Sequence, residues 1–123
     1  MSADARLAEL LAALDNAPDE LHGDITPAVL ALADLGWVAA PALLDHMLAA
    51  SADTRLHAQR AFEGILMHDC GFVRGRGFVN RDDENRFREL WATQGGYAHD
   101  ASQARRNLAV EAWRGWLKEH GHD

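Results

Sequence analysis

Residues 24–66 read DITPAVLALADLGWVAAPALLDHMLAASADTRLHAQRAFEGIL, and this stretch decides the fold class. Its apolar residues recur every three or four positions and β-branched residues are scarce, which predicts amphipathic α-helices. Thr26 followed by Pro27 suits a helix N-cap and the first helical position. Gly36 is expected to close this helix, and Pro41 to open the next one.

The same pattern continues on both sides of this stretch. Leucines at helical spacing predict a helix within residues 7–14. Candidate caps for three further helices come as alternatives: Ser51 or Asp53, Asn80 or Asp82, and Asp100 or Ser102. The pattern breaks at residues 70–80, CGFVRGRGFVN, whose glycines predict a loop or a short hairpin. We therefore expect one all-α domain over residues 1–123, with about six helices in stacked antiparallel pairs and an irregular loop at 70–80.

Length and charge limit the classes of function. A chain of 123 residues suits one domain, and a single cysteine excludes a disulfide framework within it. Residues 1–60 carry three basic and nine acidic side chains, whereas residues 61–123 carry nine and ten. The net charge of -7 argues against a nucleic-acid partner and favours a partner protein with a basic surface.

Targeting and membrane signals are not apparent in the sequence. The N-terminal apolar positions are interrupted by acidic residues, and no basic region precedes a continuous apolar run. The least polar stretch, residues 27–50, contains Asp34, Asp45 and His46 together with helix-breaking signals. We therefore expect a cytoplasmic protein that does not bind membranes.

Two segments carry a family resemblance. Residues 25–48 combine a helix, a glycine turn and a helix that opens with Pro-Ala-Leu-Leu. Residues 52–66 then begin a similar unit with an acidic cap, an arginine and Ala-x-x-Ala-Phe, and Asp24 and Asp53 are 29 residues apart. This resembles the HEAT-repeat family, whose units are helix pairs of about 40 residues. The tail at residues 90–117, LWATQGGYAHDASQARRNLAVEAWRGWL, is similar to the ends of some bacterial HEAT-like proteins. The resemblance implies a binding surface for proteins or, less often, nucleic acid, and implies no chemistry.

Catalytic and metal-binding patterns are weak. None of the seven histidines forms an i, i+4 pair of the kind that ligates metals from a helix. The cluster at residues 68–70, His-Asp-Cys, lacks a family signature and is expected to be an ordinary helix end. The acidic run at residues 82–84 suits a helix N-terminus. We expect no catalytic, metal or cofactor site.

The 70–80 segment is the main candidate for a binding element. It places Arg74 and Arg76 between Phe72 and Phe78, which suits an anion site or an aromatic anchor for a partner protein. Further arginines follow at positions 81, 86 and 88. The alternative is a solvated loop whose phenylalanines cover the core.

Tryptophans offer a second candidate surface. Trp113 is expected to seal the helical core, because aromatic residues serve cores more often than surfaces. For Trp37 and Trp116 the sequence allows two positions, in the core or in an exposed patch that binds a partner.

These observations favour a non-enzymatic, HEAT-like module that binds a basic partner protein through acidic helix faces. An immunity protein that neutralises a toxin is a narrower alternative, and binding of phosphate or nucleic acid by residues 74–88 is another. Self-association also stays open, because a short helical stack leaves an end face to be capped or paired. The candidate partner-binding residues are Asp24, Asp34, Trp37, Asp45, Phe72, Arg74, Arg76, Phe78 and Trp116.

Overall fold

A computed structural model describes residues 3–123, and the chain is mostly helical (64%). The α-helices are α1 (Ala3–Ala12), α2 (Pro27–Leu35), α3 (Ala40–His46), α4 (Ala52–Asp69), α5 (Arg81–Thr93) and α6 (Gln103–Glu119). A 3-10 turn, Gly36–Ala39, joins α2 to α3. Strands β1 (Phe72–Val73) and β2 (Gly77–Phe78) form a small antiparallel sheet. The prediction of a mainly α-helical chain is confirmed.

Several of the helices have a short polar residue as N-cap. The Thr26 hydroxyl accepts a hydrogen bond from the Val29 amide, with Pro27 in the first turn, as predicted. Of the alternative caps, the structure selects Ser51 for α4, Asn80 for α5 and Ser102 for α6. Each of these side chains accepts a bond from an amide that has no partner within its own helix.

Helix α4 lies at the centre of the fold. It packs against α2, α3, α5 and β1, while α6 packs against α3. Helices α2 and α4 approach closely at Gly64, where an added Cβ would lie 2.7 Å from the Cβ of Ala33. The largest fully buried side chains are Trp113 and Phe62, whose ring centroids are 4.9 Å apart. The predicted role of Trp113 in the core is confirmed.

The 70–80 segment is a short hairpin and not an irregular loop. Phe72 pairs with Phe78, and Val73 pairs with Gly77. The turn is closed by a 2.9 Å hydrogen bond from the Arg76 amide to the Val73 carbonyl. Gly75 has φ +87°, which glycine adopts without the steric cost that other residues meet. The near-palindromic sequence thus forms two matched strands around a glycine turn.

The helical segment Pro27–His46 is long and apolar enough to cross a membrane by length and composition alone, with a mean hydropathy of 1.7. Of its most apolar window, 44% is buried against the rest of the chain, and the 3-10 turn divides it. Buried core helices meet the same criterion, so this feature is weak evidence for a membrane span.

Candidate functional site

The structure divides the nine candidate residues among three places. Four of them, Asp24, Asp34, Phe72 and Arg74, border a groove between α2 and α4 or pair with the charged groups that line it. Three others, Trp37, Asp45 and Trp116, lie where the 3-10 turn, α3 and α6 come together. The remaining two, Arg76 and Phe78, belong to the hairpin. The largest group therefore surrounds one concave surface.

We call this concavity the α2–α4 groove. Its volume is about 280 Å³ and its lining is mainly apolar. The apolar lining residues are Ile25, Val29, Leu30, Ala33, Gly64, Met67 and Phe72. Gly64 has no side chain and so lets α4 approach Ala33 of α2 closely, while β1 of the hairpin supplies Phe72 to the lining. The groove is thus formed by two packed helices and the hairpin that follows the second of them.

One end of the groove carries the Arg60 ion pairs. Arg60 Nε lies 2.5 Å from Asp24 Oδ2, and Arg60 Nη1 lies 2.7 Å from Glu63 Oε1. The hydrogen bond from Arg60 is the main cause that lowers the pKa of Asp24. Burial lowers the pKa of Arg60, but the bonds to the two carboxylates outweigh it and raise that pKa. The cluster therefore brings two carboxylates to one guanidinium, so it has one carboxylate in excess.

The other end carries the Arg74 ion pair. Its Nη2 lies 2.8 Å from Asp34 Oδ1, and Nη1 lies 3.3 Å from Asp34 Oδ2. Nη2 also donates to the carbonyl oxygen of Leu30 at 3.2 Å. Two residues that the sequence offered as separate binding groups are therefore each other's partners, and the hairpin is tied to α2.

The arginines after the hairpin also meet carboxylates. Arg88 pairs with Glu84 at 2.7 Å, and Arg86 lies 3.8 Å from Asp83. The acidic run at the start of α5 thus offsets part of the positive charge expected from residues 74–88. Within residues 3–123, no ion pair involves Arg76.

The tryptophan group is built around the turn between α2 and α3. The rings of Trp37 and Trp116 lie 5.2 Å apart, and both side chains are half-buried. His122 stacks on Trp37 with a centroid distance of 4.7 Å, and His120 stacks on Trp116 at 3.9 Å. The imidazole rings therefore cover part of the tryptophan surface that the sequence left open as a binding patch.

The third member of this group also has a partner. Asp45 Oδ1 lies 2.7 Å from Arg114 Nη2, so the pair joins α3 to α6. All three candidate aspartates of the first half are consequently bound to arginines from other elements. This arrangement reduces the acidic surface that their sequence positions suggest.

The His-Asp-Cys cluster does not converge on one point. His68 stacks on Phe72, the Asp69 carboxylate accepts from the Trp37 indole at 3.4 Å, and Cys70 is buried. Across the part of the chain that the structure describes, no group of three or more histidine, cysteine or acidic residues could hold a metal ion. His68 and Cys70 therefore pack against their neighbours, whereas Asp69 is exposed and accepts the indole hydrogen bond.

Sequence reasoning missed a buried polar contact between α4 and the connection that precedes α2. His57 lies between Asp15, 42 residues earlier, and the carbonyl of Gly23. The sequence did carry one signal that His57 is buried: it lies one turn before Ala61, on the face of α4 that packs against the core. Its partners could not be read from spacing, because they lie on a segment without regular periodicity.

Comparison with known proteins assigns no family. No protein-family model, curated protein or solved structure matches the chain. The HEAT resemblance therefore remains a prediction, and the case for a function rests on the groove and its charges.

Proposed function

We propose that this protein is a non-enzymatic, HEAT-like module of stacked antiparallel helix pairs that binds another protein through the α2–α4 groove. The observation that carries the proposal is a mainly apolar lining with the Arg60 ion pairs at one end and the Arg74 ion pair at the other. Apolar grooves between helices receive the apolar face of a partner segment, and charged ends fix its register.

The groove offers accessible apolar surface at its rim. Leu30 is 38% exposed on α2, and Phe72 is half-buried on β1. Such partly exposed apolar side chains gain most when a partner excludes water from them. A volume of about 280 Å³ accommodates a few apolar side chains of the partner.

The charge around the groove favours a basic partner. The Arg60 cluster has one carboxylate in excess, and residues 1–60 carry nine acidic against three basic side chains. Negative surface potential speeds the association of a positively charged partner and weakens as salt is added. A toxin-neutralising immunity protein would be one form of such a binder, and a cytoplasmic location is part of this proposal.

The experiment compares the tagged wild-type protein with two leucine variants in cells of the native host. Leu30→Asp places a charge at the groove rim, whereas Leu108→Asp makes the same change at a leucine that is 73% exposed on α6. We expect one stoichiometric partner with wild type and with Leu108→Asp, and loss of that partner with Leu30→Asp. Equal urea midpoints for the two variants would show that Leu30→Asp does not lose the partner because it is less stable.

Binding is then measured with the purified partner. Leu30→Asp should weaken the affinity by about tenfold or more, as expected for an anchor position. Absence of any stoichiometric partner, or equal affinity of both variants, would contradict the proposal.

The anion-binding alternative makes the opposite prediction for Arg76. This arginine is exposed at the hairpin turn and is not part of the groove lining. Arg76→Ala should leave binding of a basic protein unchanged, whereas an anion site on residues 74–88 predicts salt-dependent retention of nucleic acid that this substitution weakens.

A further inference from the structure

His57 is bonded at both ring nitrogens although its side chain is only 5% exposed. Nδ1 lies 2.6 Å from Asp15 Oδ1, and Nε2 lies 3.0 Å from the carbonyl oxygen of Gly23. Both partners can only accept hydrogen bonds in this arrangement. A neutral imidazole has one N–H and satisfies one of them, whereas the imidazolium cation has two and satisfies both.

Both partners of His57 belong to the connection between α1 and α2. We call residues 13–26 the 13–26 connection; none of them lies in an α-helix or a strand. Two further contacts hold it to α4: Thr54 Oγ1 donates to Asp15 Oδ2 at 2.6 Å, and Arg60 Nε donates to Asp24 Oδ2 at 2.5 Å. Within the connection, the Asp19 amide donates a hydrogen bond of 2.9 Å to the Ile25 carbonyl. His57 is therefore the α4 side chain that bridges its two ends.

The charged groups around His57 favour its protonated form. Asp15 on the connection and Asp53 on α4 both raise its pKa by their negative charge. The charge of His46 on α3 contributes to lowering the pKa of Asp15. The charge of His22 on the connection does the same for Asp24, whose main partner is Arg60. Burial lowers the pKa of His57, but the bonds to Asp15 and Gly23 outweigh it, so the pKa lies above the ordinary 6.5.

We propose that His57 is a proton-dependent latch: the imidazolium bonds to Asp15 and Gly23 of the 13–26 connection at once, and loss of its proton loosens the connection, which Thr54 and Arg60 still hold to α4. The neutral ring would turn a lone pair toward either the Asp15 carboxylate or the Gly23 carbonyl, so one of the two bonds is lost. The latch is closed at pH below 6.5 and opens as pH rises through the higher pKa of the folded protein.

The latch stands independently of the proposed function. Two residues of the connection link it with the groove: Ile25, which accepts the internal bond of the connection and lines the groove, and Asp24, which pairs with the groove residue Arg60. An effect of pH on partner binding would rest on the proposed function, whereas the opening of the connection would not.

The test is nuclear magnetic resonance of the whole chain labelled with ¹⁵N. The ring nitrogens of His57 report its protonation state directly, and the exchange rates of the Asp19 and Ile25 amides report whether the connection is closed. Both amides donate bonds within the connection, and the Val110 amide in the buried face of α6 serves as an internal reference.

We expect both ring nitrogens of His57 to carry protons below pH 6.5 and the ring to titrate above it. Protection of the Asp19 and Ile25 amides, corrected for base-catalysed exchange, should fall about tenfold for each unit by which the folded pKa exceeds 6.5. Protection of Val110 should not change over the same range.

Two variants complete the test. His57→Gln should give low protection that does not vary with pH, whereas His22→Gln, the same change at an exposed histidine of the connection, should behave as wild type. A neutral His57 ring below pH 6.5, or protection of the connection that does not follow its titration in the wild-type protein, would overturn the proposal. The wild-type titration alone decides the matter if a variant does not fold.

Discussion

Trp113 contacts three other aromatic side chains. It is fully buried, and its ring lies 4.9 Å from Phe62, 5.7 Å from Trp91 and 5.4 Å from Trp116. Among residues 3–123 its indole N–H finds no hydrogen-bond partner, and its contacts are those of packing. Removing the ring leaves a cavity that the surrounding rigid rings cannot fill.

Trp113→Ala should therefore lower the free energy of unfolding by about 3–5 kcal/mol. Leu108→Ala on the same helix is the control, because Leu108 is largely exposed and its loss should change stability by about 0.5 kcal/mol or less. Urea denaturation measures both. Similar losses in the two variants would contradict the assignment of Trp113 to the core.

Tyr97 is the single tyrosine, so its ionisation can be followed without overlap. Burial raises the pKa of Tyr97 to about 12, and its hydroxyl donates to the Met47 carbonyl at 2.7 Å. The phenolate absorbance should therefore appear near pH 12 in the folded protein and near pH 10 in urea. Because the folded pKa is the higher one, this contribution to stability is complete below pH 10 and is lost as pH rises toward 12. Titration near pH 10 in the folded protein would contradict the burial of Tyr97.

At the scale of elements, the Thr26 side chain connects the end of α1 to the start of α2. Its hydroxyl accepts from the Val29 amide as the N-cap of α2, and it donates to the Leu14 carbonyl at 2.8 Å after α1. Ser102 caps α6 in an exposed position and makes the cap bond to the Arg105 amide. The two caps thus differ in burial and in the number of bonds that they make.

Thr26→Ala should cost about 2 kcal/mol, because it removes a cap and leaves a buried carbonyl without its partner. Ser102→Ala should cost about 1 kcal/mol or less. The difference is measured by urea denaturation of both variants. Equal costs would show that the bond to Leu14 contributes nothing.

Local signals predicted the elements better than their contacts. Thr26, Pro27 and Gly36 mark the ends of α2 because capping depends on neighbours in sequence. The glycines at residues 70–80 left a loop or a hairpin open, since the pairing of Phe72 with Phe78 depends on the turn geometry. Local sequence thus marked both ends of α2 and left the starts of α4, α5 and α6 as pairs of nearby alternatives.

The candidate site was predicted in part for the same reason. The sequence singled out Asp34 and Arg74 but not their pairing across 40 residues, because ion pairs depend on how helices pack. The same holds for Asp45 with Arg114 and for His57 with its partners on the 13–26 connection. The groove itself follows from the close approach of α2 and α4, which no local pattern specified.

At the scale of the whole molecule, Asp15, Asp24 and His57 have shifted pKa values that make stability depend on pH below and just above neutrality. Hydrogen bonds from His57 and Thr54 outweigh burial and lower the pKa of Asp15 below 3.8, and Arg60 lowers that of Asp24. Their stabilisation is present above pH 3.8 and is lost as pH falls through the lowered values. The pKa of His57 is raised, so its stabilisation is lost as pH rises above 6.5.

The melting temperature should therefore be highest between about pH 4 and 6.5 and should fall on both sides. His57→Gln should flatten the decline above pH 6.5, whereas His22→Gln should leave it as in wild type. Circular dichroism measures the melting temperature across this range. A decline of the same steepness in His57→Gln would show that another group causes it.

The central proposal for this protein is that a partner protein docks in the α2–α4 groove. Site-specific photo-crosslinking in living cells tests this directly, with a photo-reactive amino acid in place of Leu30 at the groove rim or of Leu108 on α6. We predict one discrete adduct with a partner protein from position 30 and none from position 108. No adduct from position 30, or the same adducts from both positions, would contradict a docking role for the groove.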